Sequence, residues 1–175
     1  MIIKAPLVIG DIELKSLDAK NVSKNYASWL NNSEINQYTE ARFLKHDCQN
    51  VLAFIKSCNV SKNSMLLGIF YMGEHIGNIK ADINSHHKTA SIGLIIGKKD
   101  LQGKGIGSKS IEILCDYIFE KFGVFKINAG LYESNMPSEK AFEKAGFEKE
   151  YMKQSHVINT KGERENVIVM VKYAS

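Results

Sequence analysis

A mixed α/β fold, an α+β sheet with helices on both faces, is what the sequence predicts. Three observations carry that reading. Strand-like runs fill both halves of the chain. Residues 106–122 repeat apolar side chains at helical spacing. A strand pattern flanks that helix on each side, which requires a crossover and so a parallel or splayed pair. The rest of the sheet reads as an antiparallel meander.

Taken in order, residues 10–17 alternate apolar and polar and form the first expected strand. Residues 19–31 place Val22, Tyr26, Trp29 and Leu30 on one helical face, with Asp18 as the cap. A second helix spans about 47–58, on Val51, Leu52, Phe54 and Ile55. Strands follow at 64–72 and 75–83, joined by a Gly73-Glu74 hairpin turn, and at 89–96 after the polar turn 85–88. The long helix ends at Gly123. Then come a strand at 125–131, a short helix at 135–145 stopped by Gly146, and strands at 147–157 and 167–173. That makes about seven strands and about four helices. With only two prolines, no repeat and no linker, residues 1–175 read as one domain.

Composition narrows the function classes. The net charge of +4 is mild, and its lysines and arginines are scattered, so neither nucleic acid nor a membrane surface is an expected partner. The start of the chain is interrupted by Lys4, Asp11 and Glu13, which argues against a signal peptide or a spanning helix. Three cysteines (Cys48, Cys58, Cys115) without a CxxC pattern suit free thiols and a cytoplasmic setting. His86-His87 is not a metal pair: neighbours on an extended segment point to opposite faces, and no further ligand completes a set, so no metal is expected. Cys115 falls on the apolar stripe of the long helix and reads as core.

The stretch 100–109, DLQGKGIGSK, carries the chemistry. Glycines that open a helix bring backbone N–H groups close to a ligand, and the helix dipole favours an anion there. Lys98, Lys99 and Lys104 add positive charge. The dinucleotide fingerprint G-x-G-x-x-G fails, because the third glycine arrives one residue early. The P-loop fails because Ser108 stands where its second glycine belongs. The anion is therefore carried by some other ligand, or the turn is purely structural.

Gln102-Gly103-Lys104-Gly105-Ile106-Gly107 resembles the Q/R-x-x-G-x-G/A signature of the GNAT superfamily of N-acetyltransferases. Downstream, Asn135-Met136-Pro137-Ser138 and Ala141-Phe142-Glu143-Lys144-Ala145-Gly146-Phe147 resemble its RimJ/RimL-type branch, as do Leu17-Asp18-Ala19 and Trp29-Leu30-Asn31. The resemblance implies the acyl-CoA N-acyltransferase fold, with a splayed central strand pair, and acetyl-CoA as cofactor. It implies backbone contacts to the pyrophosphate from Gln102, Gly103, Lys104, Gly105, Ile106, Gly107 and Ser108. The pantetheine would run along Leu94, Ile95 and Ile96, with a bulge near Gly93 opening the cleft, and Asn135 would bond the pantetheine or cap its helix. The tyrosine that many members use as acid is replaced by Phe142. Ser138 matches the acid of the RimL-like branch and would also touch the cofactor.

The base is open among Glu40, Asp82, Glu133, His86 and His87. The acceptor side is expected at the segment 31–43, where Asn36, Tyr38, Glu40 and Arg42 recur at every second position. In an extended loop they would share one face of a polar pocket. The expected activity is N-acetylation of a primary amine: an amino sugar, alone or nucleotide-linked, a protein N-terminus or a small amine. A non-catalytic acyl-CoA-binding module on the same fold is the alternative. A homodimer is left open.

Overall fold

The structure is a computed structural model that describes residues 1–174. Its strands are β1 (Leu7–Ile9), β2 (Ile12–Ser16), β3 (Ser64–Tyr71), β4 (Glu74–Asn84), β5 (Thr89–Ile96), β6 (Lys126–Tyr132), β7 (Glu148–Ile158) and β8 (Arg164–Tyr173). The helices are α1 (Tyr26–Asn31), α2 (Ser33–Asn36), α3 (Cys48–Val60), α4 (Ile106–Phe122) and α5 (Met136–Lys144), with 3-10 turns at Glu40–Phe43 and Lys99–Leu101. The strands form one sheet in the order β1-β2-β3-β4-β5-β6-β8-β7.

Alternation along β3 explains the two layers. Met65, Leu67 and Ile69 point to one face, and Leu66 and Phe70 to the other. On the first face α4 lays Ile111, Leu114, Cys115 and Ile118 into the main core, with Phe142 of α5 beside them. On the second face Tyr26 and Trp29 of α1 and Val51, Ile55 and Cys58 of α3 make a smaller core. Gly97 is required by this second layer, since a Cβ there would stand 2.0 Å from the Trp29 ring.

Every strand pairing is antiparallel except β5 with β6. That pair is parallel and short, registering only Thr89 with Lys126, Ala90 with Ile127 and Ser91 with Asn128. Beyond it the two strands diverge. Ile92–Ile96 stay with β4, and Ala129–Tyr132 stay with β8. The crossover and the splay expected around the long helix are therefore both present.

Three expectations change. An eighth strand, β1, folds back on β2 through the turn at Gly10, whose φ of +57° suits glycine. Three residues after Pro6 are too few to show a period. The first helix begins only at Tyr26. Asp18 accepts hydrogen bonds from the amides of Lys20 and Asn21 at 2.7 and 3.1 Å, closing a local turn where helix was expected. There is no register break at Gly93, where β5 pairs continuously with β4. The bulge nearest β5 lies instead between β3 and β4, where Ile69 pairs with Gly77 but Phe70 pairs with His75, and the β7–β8 pair has further register shifts.

The α4 interface should dominate stability. Leu114 is fully buried against the sheet, so Leu114→Ala is expected to lower the unfolding free energy in urea by about 2–5 kcal/mol with an unchanged m-value. A loss under about 1 kcal/mol would contradict this packing.

Candidate active site

The divergence of β5 and β6 opens a cleft of about 1260 Å³. One end is backbone-built. The turn from Gly97 to Gly105 leads into α4, with Gly103 and Gly105 at φ +75° and +79°. Gly105 is the N-cap, and no side chain caps the helix. The first-turn amides of Ile106, Gly107 and Ser108 have no carbonyl within the helix to bond. Gln102 anchors the turn by donating from Nε2 to the Ile96 carbonyl at 2.9 Å. A Cβ on Gly107 would come within 3.4 Å of the Leu94 side chain, so the helix start sits close against β5. Such a start suits a phosphate, and the free edge of β5 beside it suits an extended polar chain.

Most of the expected cofactor residues meet at this end. Leu94, Ile95, Ile96, Gln102, Gly103, Gly105, Gly107 and Ser108 line the cleft, and so do Asn135 and Ser138 from the opposite wall. Lys104 and Ile106 do not line it: Lys104 is exposed, and Ile106 packs its side chain into the core. Asn135 caps α5, its side-chain oxygen accepting from the Ser138 amide at 3.3 Å. Phe142 is wholly buried, edge-to-face with Phe147 at 5.0 Å between ring centroids, which accounts for an apolar ring at that position.

The other end is built from side chains, and here the sequence reading needs correction. Segment 33–43 is not extended. Helix α2 and the following 3-10 turn fold it up, so the every-second-residue face does not form. Tyr38 and Glu40 line the cleft. Asn36 is buried and donates to the Leu30 carbonyl at 2.6 Å, a bond that holds α1 to α2. Arg42 donates to the Ile158 carbonyl and, at 3.4 Å, to the Tyr132 hydroxyl, pinning the segment to the far part of the sheet. Neither Asn36 nor Arg42 lines the cleft.

Among the base candidates, Glu133 lies outside the cleft lining and accepts from Asn166 Nδ2 at 2.9 Å. His86 and His87 sit in the exposed β4–β5 turn, away from this cleft. Asp82 lines it, but Ser64 and Lys80 both donate to the carboxylate. Burial raises the Asp82 pKa, and those bonds with the Lys80 charge outweigh it, leaving the carboxyl below its ordinary value. A carboxylate so stabilised is a weak base. Glu34, which lines the cleft with Glu40 and Asp82, is paired with Lys99. Among the described residues no group of three or more His, Cys, Asp or Glu side chains could hold a metal ion. Cys115 is sealed in the core, its thiol pushed up to about 12 chiefly by burial.

Two residues that line the cleft had no role in the sequence reading. Tyr132 ends β6, and its ring lies 5.8 Å from that of Tyr38. Asn78, on β4, is 2% exposed. Its signal was an amide set among the apolar neighbours Ile76, Gly77 and Ile79.

A sheet forked beside a glycine-opened helix start defines the acyl-CoA N-acyltransferase class of fold. Residues 12–148 match the family model described as Acetyltransferase (GNAT) domain, and the chain belongs to that family. It is similar to a probable N-acetyltransferase, YjcK, of Bacillus subtilis (strain 168), 34% identical over 85 residues. That match spans 48% of this chain and 46% of the relative. Two solved structures share the fold. RimL, a ribosomal L7/L12 alpha-N-protein acetyltransferase in complex with coenzyme A, superposes with a TM-score of 0.87 at 16% identity, over 97% of this chain and 98% of that one. Spermidine N-acetyltransferase from Vibrio cholerae, in complex with CoA and spermine, gives 0.81 at 20% identity, over 93% and 95%.

His75 gives the site a pH signature. Burial is the larger cause holding its pKa below the ordinary value, against the bonds to Asn78 and the Gly77 backbone. The unfolded chain therefore binds a proton below about pH 6.5 that the folded chain resists. Stability is full above that pH and is lost as pH falls through it. The urea midpoint should drop between pH 7.5 and 5.5, and His75→Phe should flatten the drop. An equally steep drop in the variant would remove His75 as its source.

Proposed function

We propose that this chain transfers the acetyl group of acetyl-CoA to a primary amine seated at the Glu40 end of the cleft. The observation that carries the proposal is the continuity of the cleft: one space reaches from the uncapped start of α4 to Tyr38, Glu40 and Asp82. The names of the relatives point the same way. They include a probable N-acetyltransferase, a protein N-terminal acetyltransferase and a polyamine acetyltransferase.

In this reading the amides of residues 103–108 hold the pyrophosphate, the Gln102 amide being bonded to the Lys99 carbonyl at 3.1 Å, and Leu94 to Ile96 with Asn135 hold the pantetheine. When bound, acetyl-CoA supplies the activated acetyl group. The chain's own tasks are to place the amine, take its proton and steady the departing sulfur. Glu40 is the proposed base. It lines the cleft, and it is neither buried like Asn36 nor tied like Asp82. Ser138, half-buried on the opposite wall, is the proposed acid. The acceptor belongs to one of three classes: an amino sugar, free or nucleotide-linked, a protein N-terminus, or a small amine.

Release of free CoA thiol across a panel of such amines tests the activity. Acetyl-CoA binding by calorimetry without turnover on any amine would leave a binding module instead. Gly105→Ala puts a side chain on a left-handed residue at the N-cap. It should weaken acetyl-CoA binding about tenfold while costing about 1–2 kcal/mol of stability. Unchanged affinity would remove the helix start as the phosphate site. Glu40→Gln should lower kcat/KM by about 10²-fold, with acetyl-CoA affinity kept. Ser138→Ala should lower kcat about tenfold or more; a kcat within twofold of the parent would exclude Ser138 as acid.

A further inference from the structure

The bulge between β3 and β4 places a polar pair where a regular strand would not. Residues three apart on a strand face opposite ways. Here the extra residue, Ile76, turns into the main core, while His75 and Asn78 both face the α1 layer. His75 sits among the rings of Tyr26, Trp29 and Phe70, at 5.9, 5.3 and 5.0 Å between centroids.

The hydrogen bonds fix which atom of Asn78 faces which way. The Ser23 amide can only donate, and it donates to His75 Nδ1 at 2.9 Å. The neutral ring must then carry its proton on Nε2. That N–H donates to Asn78 Oδ1 at 3.1 Å. The amide oxygen is thereby committed to His75, and the amide nitrogen is left over. Asn78 Nδ2 is buried and has no partner among the described residues. An orphaned buried donor is costly to a fold, and this one belongs to a residue that lines the cleft. Tyr26, 4% exposed, lines the same stretch with Leu30, Phe54 and Leu66. Burial pushes its phenol well above the ordinary value, so it stays protonated.

We infer that Asn78 Nδ2, aimed by His75, donates to an uncharged oxygen of the acceptor, a hydroxyl or an amide carbonyl, and so selects oxygen-bearing amines over oxygen-free polyamines. A polyamine, protonated at neutral pH, offers only further donors to this atom. The inference rests on the acetyltransferase reading for the word acceptor, but binding at Asn78 can be measured without turnover. Asn78 is a specificity-determining contact, and His75 is a positioning residue behind it.

The test has two arms. In the first, the side-chain amide signal of Asn78, assigned by its loss in Asn78→Asp, is followed by ¹⁵N-edited NMR. The wild-type protein is titrated with glucosamine, with alaninamide and with spermidine. Movement with glucosamine or alaninamide but not with spermidine is expected. No movement with either oxygen-bearing probe, or equal movement with spermidine, overturns the inference. The second arm compares kcat/KM for the same amines. Asn78→Asp keeps the acceptor for His75 Nε2 and loses the donor. It should raise KM for the oxygen-bearing amines about tenfold, leave kcat within twofold, and leave acetyl-CoA affinity unchanged. His75→Phe should raise the same KM by a smaller factor. Equal losses on spermidine and on the oxygen-bearing amines overturn the inference. Turnover of no amine at all removes the acetyltransferase reading, and the NMR arm still decides for or against Asn78.

Discussion

The site depends on one constraint: β5 and β6 stop pairing after Ser91 and Asn128. Up to that point the strands are held in register, and Asn128 adds a side-chain bond to the Ala90 carbonyl at 3.0 Å. Past it, each strand keeps its outer neighbour and loses its inner one. Backbone N–H and C=O groups on the inner edges cannot be left dry. A fork in the middle of a sheet is therefore stable only if it stays open to water or takes up a polar chain. The glycine turn is placed by the same geometry. β5 ends at the fork's open side, so the helix that follows starts there, and its uncapped first turn points at the same space.

Two irregularities do opposite work on the β5 side of the fork. The Gly103 to Gly107 turn removes side chains and so exposes backbone to the cleft. The β3–β4 bulge adds a residue so that two side chains share a face. Gly77, just after the bulge, shows how tightly the second is built: a Cβ there would stand 2.3 Å from the Ile95 carbonyl oxygen. The bulged strand thus presses directly on β5, which couples the wall of the acceptor end to the strand expected to carry the cofactor. Bulges beside active sites commonly re-aim a side chain in this way.

Legibility followed the type of interaction. The residues 106–122 helix was read to the residue because its apolar stripe is long and its Gly123 stop has φ +56°. The strands from 64 to 96 were placed to within a residue or so, since burial on one or both faces fixes their pattern. β1 was too short to show a period. The segment 33–43 misled, because its polar residues at every second position satisfy folded partners: Asn36 bonds Leu30, and Arg42 bonds Ile158 across the sheet. A spacing rule assumes a backbone conformation. Here a helical turn, capped by Asn32 through the Glu34 amide at 2.9 Å, replaced the extended one.

The two ends of the cleft therefore differ in kind. At the proposed phosphate end the binding atoms would be backbone amides, and what sequence must supply there is the absence of side chains at fixed intervals. That requirement is local, so a run of glycines before a helix announces it. At the proposed acceptor end the facing groups come from α1, from the turn after α2, from β4 and from α5, brought together only by the folded sheet. No single stretch encodes them, and each is a polar side chain of a type common on any surface. What distinguishes them is environment. Asp82 is spent on Lys80 and Ser64, while Asn78 is sealed and half-satisfied. An unspent donor in a buried wall is the point at which chemistry, rather than packing, accounts for the residue. Arg42 Nε is also buried without a partner, but Arg42 lies outside the cleft lining, and for that reason the specificity of this chain is sought at Asn78.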